Sequence, residues 1–265
     1  MNAQRLKLLA ILSMTIDHLG VVFNILHRYE VAGAEFVRYM TDDYWQMRVV
    51  GRLAFPIFCF LIAEGCTHTK DIKKYIGRLA VFAIISQIPY NVFWSMGIGI
   101  DDINGLFSFT QGNVLVTLTL GAVAVFLYGK LFEVDKNKVF YKVLYVIGII
   151  ASFLAVILLR GEYDLCGLSI ILLVYIFRIK NDSNLDSRVF GAKYMQVLCC
   201  TLMTLTYYLL ILHGSWYEVI GAVSSVLPLL LYNGQPGNRK WKWAFYIYYP
   251  AHMLLLSILM FVVIR

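Results

Sequence analysis

The stretch Arg5–Gly20, RLKLLAILSMTIDHLG, decides how this chain reads. The apolar run continues to about residue 26, long enough to enter a bilayer as a helix. Yet Lys7, Asp17 and His18 lie inside it. Ionisable groups in such a span are costly to bury and mark a site. Lys7 and His18 stand eleven positions apart. At about 100° per residue, eleven steps return to within about 20° of the starting direction, with a rise of roughly 16 Å. One helix face thus carries a cation near its start and an imidazole higher up. We read this helix as the catalytic wall of a polytopic membrane enzyme.

Composition agrees with a membrane setting. The 265 residues are 60% hydrophobic and 15% charged, and the mean hydropathy is +0.71. A soluble domain needs more polar surface. The apolar residues come in long runs without dyad alternation, which excludes a lipid-facing β-barrel. The fold class expected is therefore all-α, with residues 1–265 as a single transmembrane domain. Five cysteines sit mainly in apolar segments, and no CxxC or Cys/His ligand spacing occurs. Neither a disulfide framework nor a metal is expected, and nothing suggests a nucleic-acid partner. The N-terminus resembles a signal peptide but lacks an A-x-A cleavage site and contains Asp17-His18, so it reads as a retained first helix.

Apolar segments run at about 6–26, 49–66, 76–95, 112–131, 139–159, 163–179, 194–212, 215–232 and 243–264. That gives about nine spans. Lys and Arg concentrate in alternate loops: Lys70 to Arg78, Lys130 to Lys142, Arg178 to Lys193 and Arg239 to Lys242. This alternation places the N-terminus in the cytoplasm and the C-terminus outside, with an odd number of spans. Within the long connection His27 to Met47, Glu35–Tyr44 is expected to lie as a helix on the membrane surface.

Depth can be matched between the rising first span and the descending second. Lys7 and Glu64 fall at the inner level; Asp17, His18 and Arg52 fall higher, with Arg48 one turn above Arg52. Pairing makes such charges tolerable, so Lys7 is expected to meet Glu64, and Asp17-His18 to meet Arg52. Pro56 is expected to kink the second span between the two levels. Gln87 and Asn91 beside Pro89, Asn113 in the next span, and Tyr249 and His252 beside Pro250 supply polar groups at the upper level. They form the expected cavity for an acceptor, together with Arg48. A neutral His can take a proton from a hydroxyl or amine. Arginines beside it would stabilise an oxyanion. The basic inner face of Lys73, Lys74, Arg78 and Arg239 suits a phosphorylated donor.

The blocks KLLAILSMTIDH, RVVGRLAFPIFCFLIAEGCTHTKDIKKYIGRLAVFAIISQIPYNVF, QGNVLVTLTLG, YNGQPG and WKWAFYIYYPAHMLLL together resemble the TraX family, known for conjugative pilin acetylation. That family is similar to the wider group of transmembrane acyltransferases, which carry a basic residue ahead of a catalytic His in the first helix. Lys7 and His18 match that pattern. The resemblance implies acetyl-CoA or another acyl-CoA bound from the cytoplasm, with Lys7 meeting its phosphate and His18 its thioester; Glu64, Lys73, Lys74, Arg78 and Arg239 are the further donor-binding residues expected from the charged inner face. It implies His18 as general base, with Asp17 and Arg52 as its catalytic partners. The acceptor, an amine or hydroxyl of a peptide, sugar, lipid or small molecule, stays open. A multi-pass protein of the bacterial inner or plasma membrane follows. The rival is a proton-coupled transporter or flippase using the same buried charges; it lacks a second copy of the DH or GRxAFP pattern, which an inverted repeat would supply.

Overall fold

The computed structural model describes residues 1–28, 44–98, 111–135, 137–182, 189–211, 216–238 and 242–264. Eleven α-helices are seen among them: α1 Ala3–Arg28, α2 Tyr44–Gly51, α3 Ala54–His68, α4 Ile72–Ile98, α5 Val114–Glu133, α6 Val139–Leu158, α7 Asp164–Asp182, α8 Val189–Thr206, α9 Trp216–Val223, α10 Val226–Leu230 and α11 Lys242–Ile264. A π-helical turn, Tyr207–Ile211, extends α8. Each of the nine apolar segments is helical over most of its length. No β-strand occurs among the described residues, only an isolated bridge between Gly112 and Gly161.

The protein is an all-α polytopic membrane protein. Among the described residues, six stretches are individually long and apolar enough to cross a bilayer: Ala3–Leu26, Tyr44–His68, Ile72–Ser95, Val114–Glu133, Val139–Leu158 and Trp243–Val263. Their outer faces are unlike a soluble surface. Leu12, Ile84, Phe140, Leu158 and Val262 are all more than 60% exposed, as side chains against lipid would be. The expected surface helix Glu35–Tyr44 lies almost wholly outside the described residues, as does Arg239.

The chain divides into two compact units. The first comprises 1–57, 84–108 and 208–265. Here α2 packs on α1 through glycine. A Cβ added to Gly51 would lie 2.1 Å from Asp17 Cβ, and one on Gly20 would lie 3.0 Å from Met47 Cβ. On its other side α2 meets α9, where Trp45 and Tyr217 have ring centroids 4.8 Å apart. Ser13 Oγ donates to Val50 O at 2.6 Å, fixing the height of α2 on α1. The start of α1 is clasped by the YNGQPG loop: Ala3 N–H donates to Gln235 O at 2.8 Å, and Asn233 N–H to Met1 O at 2.9 Å. Gly234 and Gly237 give that loop its two positive φ angles, 76° and 74°.

Pro56 does not kink the second span. The break falls earlier, at Arg52 and Leu53 between α2 and α3. Pro56 then sits in the first turn of α3, where a missing N–H costs nothing because that N–H would have no helical partner.

The second unit comprises 58–83 and 109–207. Ala124, Val156 and Leu168 are fully buried at its centre, flanked by Leu120 and Phe153. The QGN block has a structural role here. Asn113 caps α5, accepting from Leu115 N–H at 3.0 Å, and donates from Nδ2 to Ala83 O at 2.8 Å. Gly112 N–H donates to Leu159 O at 3.0 Å, and Thr117 Oγ1 donates to Glu162 O at 2.7 Å. This ties the start of α5 to the tight turn between α6 and α7.

Candidate active site

In the first unit α1 and α11 bring the candidate base and its neighbours together. Three pairs mark their register: Lys7 with Phe245, Thr15 with Tyr248, and His18 with His252. Residue numbers rise together, so the two helices run parallel. The buried face of α1 is Leu6, Ala10, Ser13, Met14, His18, Val21, Val22 and Ile25, the spacing of a single helix face.

His18 is 8% exposed. Its Nδ1 lies 2.8 Å from His252 Nε2. The two ring planes are 7° apart with centroids 5.0 Å apart. A nitrogen separation so much shorter than the centroid separation means the rings meet edge to edge in one plane. Phe93, from α4, packs on the His18 ring with centroids 5.3 Å apart. Tyr249 is buried, its centroid 5.8 Å from that of His252. His18 Nε2 has no hydrogen-bond partner among the described residues.

The charges are paired differently from expectation. Arg52 does not take Asp17. Arg48 Nη1 donates to Asp17 Oδ2 at 2.5 Å, with the two side chains 22% and 14% exposed. Arg52 donates instead to Glu218 Oε1, from Nε at 3.1 Å and Nη2 at 2.6 Å, and its guanidinium lies 5.7 Å over the Tyr208 ring. The reason is the helix break. With α2 ending at Gly51, Arg52 leaves the helix and turns to α9, while Arg48 stays on the face that Gly51 presses against Asp17. The hydrogen-bond partner of His18 is therefore neither Asp17 nor Arg52, but His252. Glu218 was legible by the rule that found Asp17, as the acid at the head of the apolar run WYEVIGAV.

Lys7, expected beside Glu64, meets an aromatic ring within its own unit. Its ammonium lies 5.4 Å from the Phe245 ring centroid, a cation–π contact on the same face as His18. Gln87 Nε2 donates to Asn91 Oδ1 at 2.9 Å on α4, flanking Pro89.

Glu64 and the basic candidates Lys73, Lys74 and Arg78 belong to the second unit. Glu64, 3% exposed, is paired with Arg178, and His68 Nδ1 donates to Glu64 O at 2.9 Å. Arg178 is thus more than a marker of topology. Lys73 and Lys130 each hold an ammonium 5.9 Å from the Phe126 ring centroid. The Arg78 guanidinium lies 5.8 Å over Tyr75. Lys74 is 80% exposed and 3.3 Å from Asp71; its backbone N–H donates to the Asp71 carboxylate and holds that group below the usual carboxylate range. Asn113, expected to line a cavity, instead spends both ends of its amide on backbone. No cluster of three or more metal-ligating side chains occurs among the described residues.

The chain is similar to known proteins over nearly its whole length. The TraX protein family matches residues 2–260. The probable fimbrial assembly protein FimC, serogroup H1, of Dichelobacter nodosus is 28% identical over 96% of this chain and 94% of its own length. An uncharacterized protein of Rickettsia prowazekii is 25% identical over 46% of this chain and 36% of its own length. No solved structure matches. With nearly its whole length inside the family's match, the chain belongs to the TraX family.

Proposed function

We propose that this protein is a membrane-embedded acyltransferase that moves an acetyl or other short acyl group from acyl-CoA to an amine or hydroxyl. The observation that carries the reading is His18: a buried imidazole held through Nδ1 by His252, with no hydrogen-bond partner for its other nitrogen among the described residues. In the reaction, Nε2 removes the acceptor's proton as its nitrogen or oxygen bonds to the thioester carbonyl carbon. The C–S bond then breaks, and the proton passes from Nε2 to the departing sulfur.

Lys7 shares a helix face with His18 at roughly 16 Å, a span comparable to an extended pantetheine arm, so a phosphate near Lys7 and a thioester near His18 are compatible. Lys73, Lys74, Arg78, Glu64 and Arg239 are the further donor-binding candidates. Asp17 with Arg48, and Arg52 with Glu218, keep the surroundings of the base charge-balanced. Gln87, Asn91, Tyr249 and His252 are the acceptor-side candidates. The family's link to pilin acetylation, and a relative named for fimbrial assembly, make a pilin-type peptide amine the first acceptor to try.

The test is purified protein with labelled acetyl-CoA. Binding followed by transfer to added amine or hydroxyl, or slow hydrolysis, supports the reading. Absence of any acyl-CoA binding overturns it and leaves a proton-coupled transporter as the better account of the buried charges.

A further inference from the structure

Resting on that reading, we infer that His252 is the positioning residue that holds His18 in the tautomer with its proton on Nδ1 and its lone pair on Nε2. The assignment follows from donors and acceptors in order along α11 and across to α1. A backbone carbonyl only accepts. His252 Nδ1 lies 2.8 Å from Tyr248 O, so it carries a hydrogen. A neutral imidazole has one N–H, so His252 Nε2 is a lone pair. His18 Nδ1 stands 2.8 Å from that lone pair and must supply the hydrogen. His18 Nε2 is then the acceptor, and hence the basic nitrogen. Any other neutral assignment sets two lone pairs, or two N–H groups, against each other at a buried site, which costs about 1–3 kcal/mol for each unsatisfied group.

Packing holds the chain of donors in place. The Tyr248 ring lies parallel to His252, with centroids 5.0 Å apart and planes 8° apart. The same tyrosine is fastened to α1. Thr15 Oγ1 donates to Ile11 O at 2.7 Å, so its oxygen accepts from the Tyr248 hydroxyl at 2.6 Å. Tyr248 thus offers its carbonyl to His252 and its hydroxyl to Thr15. Sliding α11 against α1 would break both links together. Phe93 covers the side of the His18 ring.

The arrangement also serves the protonated state. When His18 Nε2 takes the acceptor's proton, the Nδ1–H···Nε2 bond to His252 becomes charge-assisted and shorter-range attraction strengthens it. The proton leaves from Nε2 to the thiolate. His252 ends each turnover with the hydrogen it began with.

The experiment reads the tautomer directly, by NMR of protein labelled with 15N-histidine, with His18 assigned by its loss in His18→Gln. The expected result is His18 protonated at Nδ1 and bare at Nε2, and His252 protonated at Nδ1. His252→Phe should release His18 to the Nε2-protonated form that free imidazole side chains favour. It should also lower kcat by about 10- to 100-fold, as loss of an orienting partner does, with the KM for acetyl-CoA unchanged. His252→Gln, whose amide oxygen can accept from Nδ1–H, should keep the tautomer and most of kcat; it carries the test if His252→Phe does not fold. A wild-type His18 protonated at Nε2 would overturn the proposal, as would a His252→Phe protein with unchanged tautomer and kcat. The expected tautomers in a protein that transfers no acyl group would uphold the dyad and defeat the acyltransferase reading.

Discussion

Gly51 presses so closely on Asp17 that an added Cβ would stand 2.2 Å from Oδ1 and 2.4 Å from Cγ. Asp17 Oδ2 is held by Arg48 on the other side. The carboxylate is thus set between a guanidinium and a bare α-carbon. Gly51→Ala should force α2 away from α1 and destabilise the protein by about 1–3 kcal/mol. Thermal unfolding in detergent measures this. Gly77 is the control, because nothing lies within 4 Å of a Cβ there. Gly77→Ala in mid-helix should be neutral or stabilise by about 0.5–1 kcal/mol.

The two ion pairs should behave as units. Removing one partner of a desolvated pair strands the other, at a cost of about 3–5 kcal/mol when burial is complete. Asp17→Asn and Arg48→Met should each destabilise, and the double variant should cost clearly less than their sum. Arg52 and Glu218 should couple in the same way. Arg52→Lys should fail to restore stability, since a single ammonium cannot reproduce the two bonds to Oε1 and the contact over Tyr208. Equal additivity of all four single substitutions in double-mutant cycles would show the pairs to be uncoupled.

Much of this was legible from residues alone, and the limits are instructive. Runs of about twenty apolar residues fixed the helices, because backbone groups in lipid must bond within their own segment. Asp17-His18 and the paired arginines stood out because charge is rare in such runs. Depth matching, however, specifies height and not azimuth. It put Arg52 level with Asp17 but could not show that α2 ends at Gly51, turning Arg52 toward Glu218. The GRxAFP block hid that break, since proline draws attention to itself while the real discontinuity lies four residues earlier. His252 was visible as an intramembrane imidazole; its bond to His18 depends on the register of helices some 230 residues apart in sequence.

The parallel course of α1 and α11 bears on topology. Two helices that cross in the same direction are separated by an odd number of intervening spans, so a nine-span chain is compatible and an even total is not. A reporter fused after α11 should be accessible from the face opposite to the start of α1. Protease protection in oriented vesicles would check this, and accessibility of both ends from one face would contradict the α1–α11 register.

For the donor, Lys73 and Lys130 converge on the Phe126 ring from two helices. If they attract the phosphates of acyl-CoA, Lys73→Ala with Lys130→Ala should raise KM several-fold while leaving kcat close to wild type. The effect should shrink as ionic strength rises. An unchanged KM at low salt would remove these lysines from the donor site and leave them as charges at the membrane surface.

The central claim concerns one nitrogen, and one measurement reaches it: single-turnover transfer of labelled acetyl by His18→Ala beside the wild type, with acetyl-CoA binding measured on the same preparations. The account predicts that binding persists in the variant while transfer falls by two or more orders of magnitude, about what general acid–base catalysis supplies. Transfer by His18→Ala at the wild-type rate would contradict it.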